Sequence, residues 1–191
     1  MCTLGRTAAA LVCDGGGSVR TDAIARALAR FGEGALRYAQ SRGIRIVPLP
    51  RLRRYADASG ALRRLGVDVD AWPVPPAGLF VVEERTVYLR SASPMTVAHE
   101  FGHALDCALG DGLYRSGYDA DVRAAFAAAR SFVTPYAATG LDEYFAESVR
   151  AFVGVNDRRS VWPRATRDRL AGLDPAMHAF VARLFENELA A

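Results

Sequence analysis

His99 and His103 are the residues whose type and spacing most directly suggest chemistry, and they are two of the three histidines in the chain. The run AHEFGH, residues 98–103, places them four positions apart. One turn of an α-helix is about 3.6 residues, so both rings would project from one face and could bind one zinc ion. Glu100 would lie beside that ion without binding it, where it could accept a proton from a water molecule that the metal activates.

A helix buried in the core is the alternative explanation of the same run. Its neighbours Val97, Phe101 and Leu105 are apolar, as in a core element. Two histidines and a glutamate in such a helix would need local hydrogen-bond partners, because polar groups without partners are costly to bury. The motif alone is only moderately specific. The choice between a metal site and a core helix therefore depends on residues further along the chain.

A catalytic zinc site needs a third protein ligand and one open position for water. Metzincins supply a third histidine about six residues after the second, and Leu109 occupies that position here, which excludes that class. The remaining histidine, His178, falls in the last predicted helix and is favoured as a structural or surface residue. Carboxylates are therefore the better candidates for the third ligand.

Glu143 and Glu147 are one turn apart on an amphipathic helix predicted over residues 141–153. A carboxylate pair at this spacing can supply one metal ligand and one residue that orients a ligating histidine ring. The alternative is a solvated acidic pair with Arg150 as its ion-pair partner. The metal site is preferred because AHEFGH lies upstream in the same chain.

Two runs in the chain, HEFGHALD (99–106) and EYFAES (143–148), resemble the catalytic domain of anthrax lethal factor and its relatives, which include the clostridial Pro-Pro endopeptidases. Those proteins are zinc metallopeptidases of the gluzincin type, and the resemblance covers roughly residues 78–152. It implies a zinc site on His99, His103 and Glu143, with Glu100 as general base, Glu147 as a supporting residue and Tyr136 as oxyanion stabiliser. Tyr118 is the alternative oxyanion donor.

The resemblance also assigns substrate binding to a β-strand. In this family the edge strand immediately before the zinc helix holds the substrate backbone in extended form. In this chain that strand would contain Thr86, Val87, Tyr88, Leu89 and Arg90. The Pro-Pro specificity is not carried over, because the sequence contains no recognisable counterpart of the substrate loop.

The elements that must position these residues are mostly helical. Residues 78–90 are predicted to form a hairpin around Glu84-Arg85, and Ser93-Pro94 is a typical start for the histidine helix. The predicted fold class is α+β: a mostly helical, zincin-like metallopeptidase domain with a small β-sheet whose edge strand precedes the HExxH helix. This single domain would span residues 21–191, after a flexible tail over residues 1–20 that contains DGGGS.

The composition of the chain narrows its expected partners. The net charge of +3 is small and spread along the chain, so nucleic-acid binding is not predicted. No stretch approaches the roughly eighteen apolar residues of a membrane span, so no membrane association is predicted either. The chain has three unevenly spaced cysteines, Cys2, Cys13 and Cys107. This number and spacing predict neither a disulfide framework nor a zinc site. A nucleic-acid role would depend on the arginines of one segment, which is better explained as a solvated helical face. These arginines are Arg51, Arg53, Arg54, Arg63 and Arg64.

The sequence thus predicts a zinc-dependent metalloendopeptidase that hydrolyses a peptide or protein substrate. We expect a cytoplasmic monomer, with secretion as the alternative if the N-terminus is the remnant of a signal peptide. Two other functions stay open. One is an intracellular maturation peptidase or amide hydrolase that acts on one specific peptide of a biosynthetic pathway. The other is a non-catalytic zincin-like scaffold that binds peptide, for which less than about one zinc per chain would be expected.

Overall fold

A computed structural model describes residues 3–13, 19–50, 52–160 and 164–190. The α-helices in this part of the chain are α1 Thr3–Ala10, α2 Val19–Leu28, α3 Gly32–Ser41, α4 Tyr55–Ala58, α5 Gly60–Leu65, α6 Pro94–Leu109, α7 Ala120–Ala128, α8 Leu141–Val153, α9 Arg167–Leu173 and α10 Pro175–Arg183. The strands are β1 Arg45–Pro48, β2 Gly78–Val81 and β3 Thr86–Leu89. The α+β class with a small sheet, predicted from the sequence, is confirmed.

The three strands form one sheet in the order β1-β3-β2. β2 and β3 are antiparallel, with Gly78 opposite Leu89 and Val81 opposite Thr86, as the predicted hairpin requires. β1 pairs with the other side of β3 in parallel. β3 is therefore the central strand of the sheet, and the prediction that it is an edge strand is wrong. The reason is that β1, which comes from a distant part of the chain, covers the side of β3 that the hairpin leaves open.

The free edge of the sheet next to the cleft is β2. The carbonyl oxygen of Ala77 accepts a hydrogen bond from the backbone N–H of Arg90 at 2.9 Å. Paired residues in an antiparallel ladder alternate between bonded and non-bonded, so the backbone groups of Gly78 and Phe80 point away from β3. At the opposite edge, β1 is bridged by Val12. An extended peptide could therefore add to the sheet at β2.

Helix α6 begins and ends as its sequence predicts. The hydroxyl oxygen of Ser93 accepts from the backbone N–H of Thr96 at 3.2 Å, and Pro94 occupies the first turn. The helix ends before Gly110. It is buried along most of its length, between α2 on one side and α8 on the other. A helix buried on all sides is held in place by packing, which keeps its polar side chains in fixed positions.

Gly102 allows α6 and α8 to cross closely. A Cβ at position 102 would lie 2.9 Å from the Cα of Ala146, which is closer than two carbon atoms can approach. The two helices are therefore in contact through backbone at this point, with a glycine on one and an alanine on the other. This crossing brings the histidine face of α6 to the glutamate face of α8.

The N-terminal segment differs from the flexible tail expected over residues 1–20. Residues 3–10 form α1, in which Ala8 is completely buried, and Leu11 is buried just beyond it. The backbone N–H of Ile46 donates to the carbonyl oxygen of Leu11 at 2.8 Å. Helix α1 packs against α2 and α3, and the backbone after it meets the edge of β1, so residues 3–13 are ordered by packing and not a flexible tail. The glycine-rich run, residues 14–18, lies outside the described residues.

The arginine-rich segment packs on the outer face of the sheet through its few apolar residues. These residues and their partners in the sheet form a second, smaller core: Leu49, Tyr55, Ala61, Leu62, Val69, Val81 and Tyr88. Arg53, Arg54, Arg63 and Arg64 are exposed, and Arg51 lies outside the described residues. Arg54 forms an ion pair with Asp68. In the part of the chain that the structure describes, no helix has the length and apolar content to span a bilayer.

Candidate metal centre

Three potential ligand atoms meet where α6 and α8 cross. The Nε2 atoms of His99 and His103 are 3.2 Å apart. Oε2 of Glu143 lies 3.1 Å from the first of these nitrogens and 3.3 Å from the second. The structure thus brings together two predicted ligands from α6 and one from α8, the only such group of three metal-binding side chains found among the described residues.

The spacing of these three atoms fits a tetrahedral zinc ion. Bonds of about 2.0–2.1 Å in a tetrahedral site place neighbouring ligand atoms about 3.3–3.4 Å apart. Oε2 of Glu143 is buried, and no hydrogen-bond donor in the described residues is aligned on it. Two imidazole nitrogens and a carboxylate oxygen are also the donor set that zinc prefers. The residues present therefore fit the metal that the sequence predicts.

The charges around His99 also favour a cation between these side chains. Burial alone would lower the pKa of His99, but the carboxylates of Glu143 and Glu147 outweigh it and raise the pKa to about 10. Burial would likewise raise the pKa of Glu143, but the rings of His103 and His99 outweigh it and lower the pKa to about 2. The site therefore stabilises a positive charge near His99, which a divalent cation supplies as well as a proton does.

Glu147 orients the ring of His99. Its Oε1 atom lies 3.0 Å from Nδ1 of His99. An ionised carboxylate only accepts hydrogen bonds, so Nδ1 carries a proton and donates it to Glu147. The other ring nitrogen, Nε2, is then directed at the meeting point of the three ligand atoms. The structure thus places Glu143 at the meeting point of the ligand atoms and Glu147 at the far ring nitrogen of His99.

Arg150 and Thr134 hold Glu147 in turn. Nε and one terminal nitrogen of Arg150 donate to the two carboxylate oxygens of Glu147 at 2.8 and 2.7 Å. The hydroxyl of Thr134 donates to Oε2 of Glu147 at 2.6 Å. Arg150 is only 1% exposed, so its ion pair with Glu147 is buried, and the solvated pair considered from the sequence is not what forms. Burial would raise the pKa of Glu147, but the hydrogen bonds and charges of Arg150 and His99 outweigh it and lower the pKa.

Glu100 lies next to the three ligand atoms and is not one of them. It is 9% exposed, and its carboxyl group faces the backbone N–H of Phe80 in β2. Burial raises the pKa of Glu100, an effect that His99 and His103 partly offset. The carboxyl group is therefore between the metal-ligand cluster and the free edge of the sheet.

Tyr136 lies near His99, in a short 3₁₀ turn, Tyr136–Ala138. Its ring centroid is 5.3 Å from that of His99, and its side chain is 44% exposed. Burial of the hydroxyl and the charge of Glu143 raise the pKa of Tyr136, so the phenol keeps its proton. The alternative donor, Tyr118, is exposed and does not line the cleft. Of the two tyrosines, only Tyr136 is therefore placed to donate a hydrogen bond beside the ligand atoms.

A cleft of about 800 Å³ opens beside the cluster. One side is formed by α6, α8 and the turn of Tyr136, and the other by Gly78, Leu79 and Phe80 of β2 and the proline-rich residues before them. The strand predicted to bind substrate does not line this cleft. Its residues are Thr86, Val87, Tyr88, Leu89 and Arg90. The cleft is therefore bordered by β2 and not by β3.

Three lining residues were not predicted from the sequence. The ring of Tyr114 is 5.7 Å from that of His103, and Trp72 and Thr134 also face the cleft. All three lie in loops, where no periodic pattern marks the direction of a side chain. His178, in contrast, packs against Phe152 with ring centroids 5.6 Å apart and takes no part in the cluster.

Comparison with known proteins shows the fold of the chain. No protein-family model matches it, and no curated protein sequence matches it either. Among solved structures it is similar to that of the Pro-Pro endopeptidase PPEP-2 from Paenibacillus alvei, with a TM-score of 0.67 and 20% sequence identity. The similarity covers 94% of this chain and all of that one. At this level of identity it shows a shared fold.

Proposed function

We propose that this chain is a zinc-dependent endopeptidase with His99, His103 and Glu143 as its metal ligands. The observation that carries the proposal is the near-equilateral arrangement of their three ligand atoms, 3.1–3.3 Å apart, with Glu100 beside them in an open cleft. The shared fold with a protein described as a Pro-Pro endopeptidase supports the same function. A glutamate as third ligand is the gluzincin arrangement that the sequence resemblance implies.

In this function the bound zinc would supply Lewis-acid polarisation of the scissile carbonyl and lower the pKa of water in the site. Glu100 accepts the proton of the attacking water at its carboxylate and then passes it to the leaving amine. Tyr136 donates its O–H to the developing oxyanion, because its half-exposed side chain lines the cleft beside the ring of His99. Glu147 holds the ring of His99 through all of these steps.

Substrate binding is proposed at β2. Because the N–H of Phe80 already faces Glu100, the groups available to pair with an extended peptide are the outward backbone groups of Gly78 and the carbonyl oxygen of Phe80. A peptide paired there would add to the sheet as a fourth strand. This pairing would place the substrate backbone along the same edge that Glu100 faces. A substrate strand paired with β3 would require displacement of β1 or β2.

The test compares the wild type with Glu100→Ala on a library of peptides, with the zinc content of both proteins measured by mass spectrometry. We expect about one zinc per chain in each, and loss of hydrolysis in the variant by roughly a hundredfold or more. Glu186→Gln, which changes an exposed carboxylate, is the control and should leave hydrolysis intact. Normal cleavage by Glu100→Ala would contradict the mechanism. A wild type without zinc or peptidase activity would favour the scaffold alternative.

A further inference from the structure

Gly78 lies where a side chain would collide with Glu100. A Cβ at position 78 would be 2.6 Å from Cγ and 3.1 Å from Cδ of Glu100, and 2.9 Å from Cγ2 of Thr96. Gly78 is not among the glycines with positive φ, so its backbone could be adopted by any residue. The requirement for glycine at this position is therefore one of space and not of conformation.

The collision cannot be relieved at low cost. Cγ is near the base of the Glu100 side chain, so moving it means rotating the whole side chain in a buried site. On one side of that site are the rings of His99 and His103, and on the other is β2, whose Phe80 N–H faces the carboxyl group. Either Glu100 or β2 would have to shift.

We propose that Gly78 is a positioning residue for Glu100: the absent side chain leaves the space in which the Glu100 carboxylate sits, between the zinc ligands and the substrate-binding edge. The proposal rests on the role of general base proposed for Glu100. Gly102 makes a similar close approach, but its neighbour is the backbone of Ala146, so it sets the distance between two helices and does not contact a reacting group.

The first experiment measures kcat, KM and zinc content of Gly78→Ala with the best peptide from the library. We expect kcat to fall roughly ten- to hundredfold, because small displacements of a catalytic group are costly, while about one zinc per chain is retained. Gly172→Ala is the control, since a Cβ there would meet nothing within 4 Å. An unchanged kcat for Gly78→Ala would overturn the proposal.

The second experiment needs no activity and separates this proposal from the proposed function. The melting temperature of metal-free protein is compared for the wild type, Gly78→Ala, Glu100→Ala and the double variant. We expect Gly78→Ala to lower the melting temperature by roughly 5 °C in the wild-type background. In the Glu100→Ala background the loss should be at most about half of that, because Cγ and Cδ are gone. The contact with Thr96 contributes to the loss in both backgrounds, so it does not affect the difference between the two losses.

Each outcome of this comparison of four proteins bears on the steric link between Gly78 and Glu100 or on the proposed function. Equal losses in the two backgrounds would overturn the steric link between Gly78 and Glu100. If Gly78→Ala fails to fold, folding of the double variant supports the link, and failure of the double variant overturns it. A clear coupling in stability together with a fully active Glu100→Ala would leave the contact intact and would contradict the proposed function instead.

Discussion

The two walls of the cleft differ in how their polar groups are satisfied. The helical wall, α6, α8 and the turn of Tyr136, holds a continuous set of contacts from His99 through Glu147 to the buried Arg150. The strand wall, β2 and residues 72–77, has outward backbone groups at its free edge. It also exposes apolar side chains, with Trp72 52% and Val74 81% exposed.

This difference separates two tasks. In the proposed function, catalytic groups must keep their geometry, and several charge-assisted hydrogen bonds on the carboxylate of Glu147 would hold it in the helical wall. A surface that binds peptide must leave hydrogen-bonding groups and apolar area free until the peptide arrives, as the strand wall does at the backbone of Gly78 and at the side chains of Trp72 and Val74. We therefore expect changes in the helical wall to affect metal binding and kcat, and changes in the exposed side chains of the strand wall to affect KM. Gly78 is the exception in the strand wall, because it lies against Glu100.

Arg150→Met should have the largest effect. It removes the guanidinium from a buried carboxylate, Glu147, and leaves that charge without its main partner. We expect a loss of stability of about 3 to 5 kcal/mol, and a loss of zinc affinity of roughly ten- to hundredfold because His99 is no longer held. Urea unfolding and zinc titration measure the two effects.

The control for this variant is Arg183→Met, which breaks an exposed ion pair with Asp121. Exposed pairs contribute about 0 to 1 kcal/mol, so stability and zinc affinity should hardly change. If Arg150→Met binds zinc as tightly as Arg183→Met, the proposed chain of contacts from Arg150 to His99 does not control the metal site.

Thr134→Val should have an intermediate effect. The hydroxyl of Thr134 donates to Glu147 and accepts from the backbone N–H of Ala137 at 3.3 Å, so it joins the turn of Tyr136 to the metal side. Valine keeps the shape and loses both bonds. We expect kcat to fall about tenfold and stability to fall by about 1 to 2 kcal/mol.

Thr139→Val provides the matched control for this prediction. Its hydroxyl donates to the carbonyl oxygen of Tyr136 at 2.7 Å in the same turn, but it does not contact Glu147. Steady-state kinetics of the two variants therefore separate the link to the metal side from the rigidity of the turn. Equal losses of kcat in both would remove the special role of Thr134.

The helical wall was also the more predictable of the two. Spacing within a single helix fixes which side chains share a face, so the relation of His99 to His103 and of Glu143 to Glu147 followed from the sequence. The crossing that joins the two helices, at Gly102 and Ala146, did not, since it depends on tertiary packing. Helical periodicity predicts Arg150 only as a solvated partner, because the burial of an arginine cannot be inferred from such a pattern.

The strand wall was predicted less well because strand order is non-local. The hairpin of β2 and β3 follows from local sequence, but either strand could have been the edge until β1 is placed. The burial of the N-terminal segment also depends on tertiary packing, since α1 lies against α2 and α3 and Val12 bridges β1. The cytoplasmic location, the monomeric state and the roles of the site residues stay predictions.

Trp72→Ala should have the smallest effect and should be confined to substrate binding. The indole lines the cleft and is half exposed, so a bound peptide would cover apolar area that water now contacts. We expect KM to rise about fivefold, as for the loss of roughly 1 kcal/mol of apolar contact, with kcat, zinc content and melting temperature unchanged. Leu52→Ala is the control, because Leu52 is 94% exposed and does not line the cleft. A fall in kcat with constant KM would mean that the exposed side chains of the strand wall also position the reacting groups, and the division of tasks between these side chains and the helical wall would then be wrong.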